Sequence, residues 1–329
     1  MKKIFATLSL AVAGLLLQTG CGQKSDNAST PSTSAAPAAG QHSIAVIPKG
    51  TTHIYWQSVK AGAEAAGKEF GYQIFWNGPE RETDRERQIQ IIEDFIVQKV
   101  DGVVLAPLDK DALVPSVEKL ANLKIPCAII DSGINTDKYV TFAATDNYHG
   151  GVLAAQRMGE ILGGKGNVIV LKYVPGSAST TERENGFIET IQKQFPNIKI
   201  VDSKYGQDTV ETALQAAEDM LTRNRDVQGF YACNAPTAVA ALQALQSQNR
   251  PEIKMVGFDA EKALIDGLKA GKIDALVVQN PYKMGYEGVK AVVAAIKGQP
   301  VEKKIDTGVA VVTKDSLDKP DIKALLNIQ

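Results

Sequence analysis

Histidine, cysteine and an excess of either charge are all scarce in this sequence. Its 329 residues include three histidines and three cysteines, and 36 basic against 37 acidic side chains leave a net charge of −1. No histidines or cysteines have the spacing of a metal motif, so we predict no metal site. The balanced charge predicts no nucleic-acid partner. Cys127 and Cys233 lie in separate apolar runs, which favours two buried thiols, with a disulfide as the alternative.

Sequence motifs of catalysis are missing as well. There is no Gly-x-Ser-x-Gly motif of the kind that presents a nucleophilic serine. The Gly-rich segment 163–166 precedes a predicted strand, whereas a phosphate-binding loop connects a strand to the helix after it. We therefore predict a protein that is not an enzyme and that binds no cofactor.

Apolar runs long enough to approach a membrane span are confined to the N-terminus. Lys2 and Lys3 precede an apolar stretch over 4–17, and Gln18-Thr19-Gly20-Cys21 follows. This resembles a bacterial lipoprotein signal, although Gln18 stands where an aliphatic residue is usual. We predict a signal peptide over 1–21 that ends at a lipidated Cys21, with an ordinary cleaved secretory peptide as the alternative. Both predict export.

The next segment, 22–42, has almost no large apolar side chain. Such a segment cannot bury enough surface to offset its conformational entropy, so we predict a disordered tether. The folded body is expected to begin at Ser43.

Short apolar runs then alternate with helical patterns. The runs show no polar alternation, which is typical of parallel strands that are buried on both faces. Between them apolar residues recur with a helical period, as at Val59, Ala63, Ala66 and Phe70. We predict an α/β fold with two doubly wound, Rossmann-like parallel sheets, because the strands are too many for one sheet. The predicted strand cores are 44–47, 102–105, 127–130, 168–171, 229–232, 255–258 and 275–278.

Polar residues follow several of these strands. Asp131 and Ser132 come after the run ending at Ile130, and Lys49 and His53 come after the first strand. Ligands of open α/β sheets bind beyond the carboxyl ends of the strands, so we predict the site there. The other polar residues at strand ends are Asn234, Asp259 and Gln279.

The motifs along the chain resemble the ribose/galactose-type periplasmic binding proteins. They include IAVIPKGTTHIYW, DGVVLAPLD, IPCAIIDSG, TDNYHGG, GSASTTERENGF, MVGFD and VVQNPYKMGYEGV, in the order of that family. The resemblance covers residues 43–313 and implies two lobes that close on a ligand about a three-crossover hinge. It implies an N-terminal lobe of 43–146 plus 281–306, and a C-terminal lobe of 147–280 plus 307–329.

The resemblance also implies a role. Such proteins are monomers that deliver a small sugar or polyol to an ABC-transporter permease. We therefore expect this protein in the periplasm or at the outer face of the cytoplasmic membrane, anchored by a lipid on Cys21. A lysine at 49 and an Asp-Ser pair at 131–132 also resemble binders of a furanosyl quorum-sensing signal. The alternative ligands are therefore that signal or a nucleoside. The alternative role is that of a sensor that presents its ligand to a membrane kinase or chemoreceptor.

The family pattern places further ligand-binding residues. It implies that Tyr55 and Trp56 form an aromatic pair and that Arg183 binds ligand from the second lobe. Ala106 and Ser132 stand where ribose binders have an amide and an arginine, so we expect D-ribose not to be the preferred ligand. His53 is compatible with either the pocket or the surface.

Such a set suits a sugar. A hydroxyl both donates and accepts, so a dry site must offer both kinds of partner. Lys49 and Arg183 balance Asp131 and Asp259 in charge, which predicts a neutral ligand. Structural alternatives remain open: helix caps for the two aspartates and Asn234, helix core for Trp56, and a solvated face for Arg183.

Overall fold

The computed structural model describes residues 42–326. The predicted signal peptide with Cys21, and the predicted tether up to residue 41, lie outside the described residues. Between residues 42 and 326 we find no helix with the length and apolarity needed to cross a membrane.

The first sheet has six strands. They run in the order β11-β5-β4-β3-β1-β2, and every neighbouring pair is parallel. We call this sheet and the four helices packed on it the first lobe. Its strands are β1 (Ser43–Ile47), β2 (Gln73–Trp76), β3 (Gly102–Leu105), β4 (Cys127–Ile130), β5 (Thr141–Ala144) and β11 (Lys304–Asp306), and its helices are α1 (Tyr55–Phe70), α2 (Arg85–Gln98), α3 (Val114–Asn122) and α9 (Pro281–Ile296).

The second sheet also has six strands, in the order β12-β10-β9-β8-β6-β7. All neighbours are parallel except β12, which pairs antiparallel with β10, a difference from the all-parallel sheet that we expected. With its helices it forms the second lobe. The strands are β6 (Lys165–Lys172), β7 (Asn197–Tyr205), β8 (Gly229–Ala232), β9 (Lys254–Phe258), β10 (Ala275–Gln279) and β12 (Val309–Val312), and the helices are α4 (Asn147–Ile161), α5 (Ala178–Gln194), α6 (Val210–Arg223), α7 (Ala235–Ser247), α8 (Lys262–Lys269) and α10 (Pro320–Leu326).

Burial on both faces of the sheets explains the apolar runs. In β1, Ile44 and Val46 belong to one hydrophobic core, and Ala45 and Ile47 belong to the core on the opposite face. All four are fully buried. Each predicted run lies in a strand, which confirms the predicted fold class of two α/β lobes.

Two helices of the first lobe, α1 and α9, approach each other closely at glycines. A Cβ added to Gly62 of α1 would lie 1.9 Å from the carbonyl oxygen of Tyr282, and one added to Gly285 of α9 would lie 2.0 Å from that of Val59. Each helix therefore seats its backbone against a glycine of the other. This contact fixes α1, which begins at the functional site.

The chain passes between the two sheets three times. It leaves the first sheet after β5, returns after β10, and crosses again between β11 and β12. Cys127 lies in β4 of the first sheet and Cys233 directly follows β8 of the second, and both are free and buried, as predicted.

Candidate ligand-binding cleft

A cavity lies between the lobes, at the carboxyl ends of strands from both sheets. Nine of the ten predicted ligand-binding residues line it. The exception is Ser132, and Glu82, Tyr173, Ser179 and Thr180 contribute side chains that we did not predict. The nine are Lys49, His53, Tyr55, Trp56, Asp131, Arg183, Asn234, Asp259 and Gln279.

Lys49 and Asp131 form a buried ion pair on the first-lobe wall. The Lys49 Nζ lies 2.9 Å from Asp131 Oδ2, and the Tyr55 hydroxyl donates to Asp131 Oδ1 over 2.9 Å. Lys49 also donates to the hydroxyls of Ser177 and Ser179 in the second lobe, at 3.3 and 3.0 Å. One lysine thereby joins both walls of the cavity. Asp131 caps no helix, because the next helix, α4, is capped by Asp146.

Arg183 occupies the second-lobe wall. Its guanidinium donates from Nε to Asn147 Oδ1 over 2.8 Å, from Nη1 to the Cys233 carbonyl over 3.2 Å, and from Nη2 to Gln279 Oε1 over 3.0 Å. The guanidinium carbon lies 3.9 Å from the centroid of the Phe258 ring. The side chain is buried, so the solvated-face alternative is wrong. A guanidinium fixed on three sides offers its remaining N–H groups in a set direction.

Asp259 completes this wall. Its Oδ1 accepts from Gln279 Nε2 over 2.7 Å, and its Oδ2 accepts from the backbone N–H of Ala235 over 2.9 Å. Burial raises the pKa of this carboxyl, and the nearby charge of Arg183 opposes that rise. Asp259 does not cap its own helix, because Glu261 holds the N-cap of α8. Asn234 caps α7 through the Thr237 N–H and also lines the cavity, so its capping role does not exclude ligand contact.

Trp56 and Glu82 form the end of the cavity near α2. The Trp56 indole N–H donates to Glu82 Oε1 over 2.7 Å. Trp56 belongs to the core of the first lobe and also lines the cavity. His53 Nε2 lies 3.0 Å from the carbonyl oxygen of Asp208. Because a carbonyl only accepts, Nε2 carries a proton.

Two expectations about the site need correction. Ser132 lies behind the cavity wall, fully buried, where its hydroxyl accepts from the backbone N–H of Ser179 over 3.1 Å. The charge balance is also incomplete, because Glu82 adds a third carboxylate to Asp131 and Asp259. The lining therefore has three carboxylates against the two cations Lys49 and Arg183.

Outside the cavity, an ion pair joins the lobes. Arg81 Nη2 lies 2.6 Å from Asp208 Oδ1, and the Thr83 hydroxyl donates to Asp208 Oδ2 over 3.0 Å. We call Arg81, Thr83 and Asp208 the interlobe clasp. Burial alone would raise the pKa of Asp208, but the hydrogen bonds and charge of Arg81, with Thr83, hold it below the ordinary value.

Comparison with known proteins agrees with this geometry. The sequence profile of the periplasmic binding protein domain matches residues 44–300. The ribose import binding protein of Bacillus subtilis is 27% identical over 314 residues, which covers 95% of this chain and 100% of that protein.

Solved structures are similar as well. A carbohydrate transporter solute-binding protein of Agrobacterium radiobacter, in complex with D-arabinose, has a TM-score of 0.86 and 35% identity, over 88% of this chain and 100% of that one. An ABC transporter solute-binding protein of Agrobacterium vitis with bound D-fucose has a TM-score of 0.84 and 39% identity, over 86% of this chain and 99% of that one.

Proposed function

Since the chain belongs to the periplasmic binding protein family, we propose that it is the extracytoplasmic substrate-binding component of an ABC transporter that captures a small neutral sugar or sugar-like polyol. The observation that carries this proposal is the cavity wall: buried donors and acceptors from both lobes converge on one space. No step of chemical conversion belongs to this role.

The lining chemistry supports a polyhydroxyl ligand. Asp131 and Asp259 only accept hydrogen bonds, Lys49 and Arg183 only donate, and Gln279 does both. Charge-assisted bonds of this kind are about twice as strong as neutral ones, which suits a ligand that must give up its water. We assign ligand contact to the nine lining residues that the sequence predicted, and a supporting role to Ser132.

Neutral sugars also agree with the charge of the wall. A sugar acid or sugar phosphate needs a surplus of positive charge, whereas this lining has three carboxylates against two cations. D-Arabinose and D-fucose, the sugars bound by the two similar solved proteins, are both neutral. The ligand is therefore expected among neutral pentoses, hexoses and related polyols.

Capture requires the cleft to open and close. We propose that the lobes, 43–146 plus 281–306 and 147–280 plus 307–329, rotate about the three crossing segments. The interlobe clasp and the contacts of Lys49 with Ser177 and Ser179 support this, because all of them join one lobe to the other.

For placement in the cell, we propose a monomer held by a lipid on Cys21 at the outer face of the cytoplasmic membrane, next to its permease. Replacing Cys21→Ala should release the protein from the membrane fraction. Retention of the variant in that fraction would contradict the anchor.

A thermal-shift screen tests the proposed function. A ligand that binds only the folded protein raises its stability by about 2.7 kcal/mol at a hundredfold excess over Kd. After unfolding and refolding to remove carried-over sugar, we expect at least one neutral sugar among D-arabinose, D-fucose, D-galactose and D-ribose to raise Tm. D-Galacturonate is the matched acid of D-galactose and should raise it less. No shift with any neutral sugar would contradict the proposal.

A further inference from the structure

Glu82 and Tyr173 face the cavity from opposite lobes. Glu82 lies just before α2 in the first lobe, and Tyr173 directly follows β6 in the second. They are 9% and 2% exposed, and both line the cavity. Since they belong to different lobes, they share one wall only when the lobes meet.

The carboxylate of Glu82 is held in place from several sides. Its Oε1 accepts from the Trp56 indole. A Cβ on Gly50 would lie 2.7 Å from Glu82 Cγ, so this side chain occupies the space that a larger residue at 50 would fill. A carboxylate held in this way is preorganised to accept a hydrogen bond from a ligand.

The hydroxyl of Tyr173 is buried and, among residues 42–326, has no partner at ordinary hydrogen-bond distance. A buried polar group without a partner typically costs about 1–3 kcal/mol. Burial, then the charge of nearby Glu82 and a longer contact between the hydroxyl and that carboxylate, raise the pKa of Tyr173 well above its ordinary value. The hydroxyl is therefore a protonated donor at neutral pH, close to a carboxylate that can only accept.

We propose that Glu82 and Tyr173 form a hydroxyl-recognition subsite that determines which sugars bind. Tyr173 donates to one hydroxyl oxygen of the bound sugar, and that hydroxyl donates to Glu82. The inference rests on the proposed function and deepens it: the ligand must carry a hydroxyl at this point, and an ether oxygen, a methyl group or a hydrogen does not satisfy both partners. A site built for a hydroxyl discriminates strongly against analogues that lack it.

Calorimetric titration with deoxy sugars tests this subsite. The probes are the tightest binder among D-arabinose, D-fucose, D-galactose and D-ribose, and its monodeoxy derivatives. The wild-type protein should lose at least tenfold in affinity, roughly the value of one good hydrogen bond, for the derivative lacking the recognised hydroxyl. Tyr173→Phe should weaken binding of the parent sugar and abolish discrimination against that same derivative. Glu82→Gln keeps an oxygen acceptor but loses its charge, so it should weaken the same binding and reduce the same discrimination. Discrimination retained in full by both variants, or lost for different hydroxyls, would overturn the subsite.

Tyr231→Phe is the matched control. Tyr231 is a fully buried tyrosine in β8 of the same lobe, and its hydroxyl also has no partner among the described residues, but it does not line the cavity. We expect Tyr231→Phe to leave every Kd unchanged, and an equal loss in this variant would overturn the inference in favour of a packing effect. If the wild type binds none of the four sugars, the proposed function and the subsite both fail. If it binds but Tyr173→Phe behaves as wild type, only the subsite fails.

Discussion

At the scale of single residues, the site is a set of buried charges that the protein itself orients. Arg183 is held by Asn147, Cys233 and Gln279, and Gln279 in turn holds Asp259. Ionised groups are costly to bury unless they are paired and hydrogen-bonded. A ligand that enters such a site meets donors and acceptors that are already aimed, and little ordering is left for binding to supply.

Arg183 is therefore expected to contribute to stability and to affinity. Arg183→Ala leaves the buried acceptors on Asn147 and Cys233 unpaired and removes a cation near Asp259, so the free energy of unfolding should fall by about 3 kcal/mol. Sugar affinity should fall roughly thirtyfold or more, as for truncation of one partner of a buried charge-assisted bond. Denaturant unfolding and calorimetric titration measure the two effects.

Arg157 of α4 provides the control, because its half-buried side chain pairs with exposed Glu160 and does not line the cavity. Arg157→Ala should change neither quantity by more than about 0.5 kcal/mol. An unchanged affinity in Arg183→Ala would remove this residue from the site.

Glu184 predicts a pH dependence. It is buried behind the cavity, where Oε1 accepts from the Tyr173 N–H over 3.2 Å and from the Cys233 thiol over 3.7 Å. Burial raises its pKa from 4.5 to about 7, and the Tyr173 N–H opposes that rise. The folded protein thus retains a proton that the unfolded chain loses, so stability falls as pH rises from 4.5 through 7.

Glu184→Gln should remove this loss. The glutamine keeps an oxygen acceptor for Tyr173 and cannot ionise. At pH 8 the free energy of unfolding of the variant should therefore exceed that of wild type by about 3 kcal/mol, and near pH 5 the two should be almost equal. Urea unfolding at both pH values measures the difference. If the free energy of unfolding changed equally between the two pH values in wild type and in Glu184→Gln, the pKa of Glu184 would not be raised in the folded protein.

At the scale of elements, the helix pair α1–α9 depends on two glycines. A glycine inside a helix normally costs about 1 kcal/mol relative to alanine. At Gly62 an alanine should instead destabilise the protein, because the added methyl group would collide with the Tyr282 carbonyl oxygen at 1.9 Å. The backbone of α9 must then move away.

Gly62→Ala should lower the free energy of unfolding by about 2 kcal/mol or more, in the range of overpacked cores. Gly133→Ala is the control, because the nearest atom to an added Cβ there is 3.8 Å away. Thermal unfolding compares the two. A Gly62→Ala variant as stable as wild type would show that the helices are not in such close contact.

Burial explains which strands the sequence patterns predict and which they do not. Runs buried on both faces, such as Val103 and Val104 in β3, are apolar throughout and are read directly as strands. The edge strand β7 alternates between exposed and half-buried positions, so no apolar run marks it. The other edge strands, β2, β11 and β12, also consist mostly of half-buried or exposed residues and fall outside the predicted runs, as does β5.

The same limit applies to the site. Residues directly after strand cores, such as Asp131 and Asp259, were found because parallel strands end at one edge of a sheet. Tyr173 follows β6 in the same way, so the signal for it was present. Glu82 lies in the charged segment PERETDRER, whose composition is that of a solvated loop. Only the structure, in which the Trp56 indole N–H donates to the Glu82 carboxylate, shows that Glu82 lies at the cavity.

At the scale of the whole molecule, the interlobe clasp should adjust affinity without affecting choice of ligand. Arg81, Thr83 and Asp208 do not line the cavity, and their contacts exist only when the lobes meet. Removing them should reduce the population of the closed form, and apparent affinity falls by the same factor as that population.

Arg81→Ala and Asp208→Asn should therefore weaken every sugar by one common factor, roughly three- to tenfold. Calorimetric titration with two sugars of different affinity measures it. Arg223→Ala is the control, because Arg223 is as exposed as Arg81 (53% against 55%) but pairs with Asp202 inside its own lobe. A changed ratio between the two sugars, or no change in either, would contradict the clasp.

Calorimetric titration of ligand-stripped protein tests the central claim most directly. The titrants are D-arabinose, D-fucose, D-galactose and D-ribose, with D-galacturonate as the matched acid. We predict that one neutral sugar binds with one-to-one stoichiometry and a Kd of about 1 μM or tighter, that D-ribose binds at least tenfold more weakly than this sugar, and that D-galacturonate binds more weakly than D-galactose. Binding of the acid in preference to every neutral sugar, or no binding of any neutral sugar, would contradict the account.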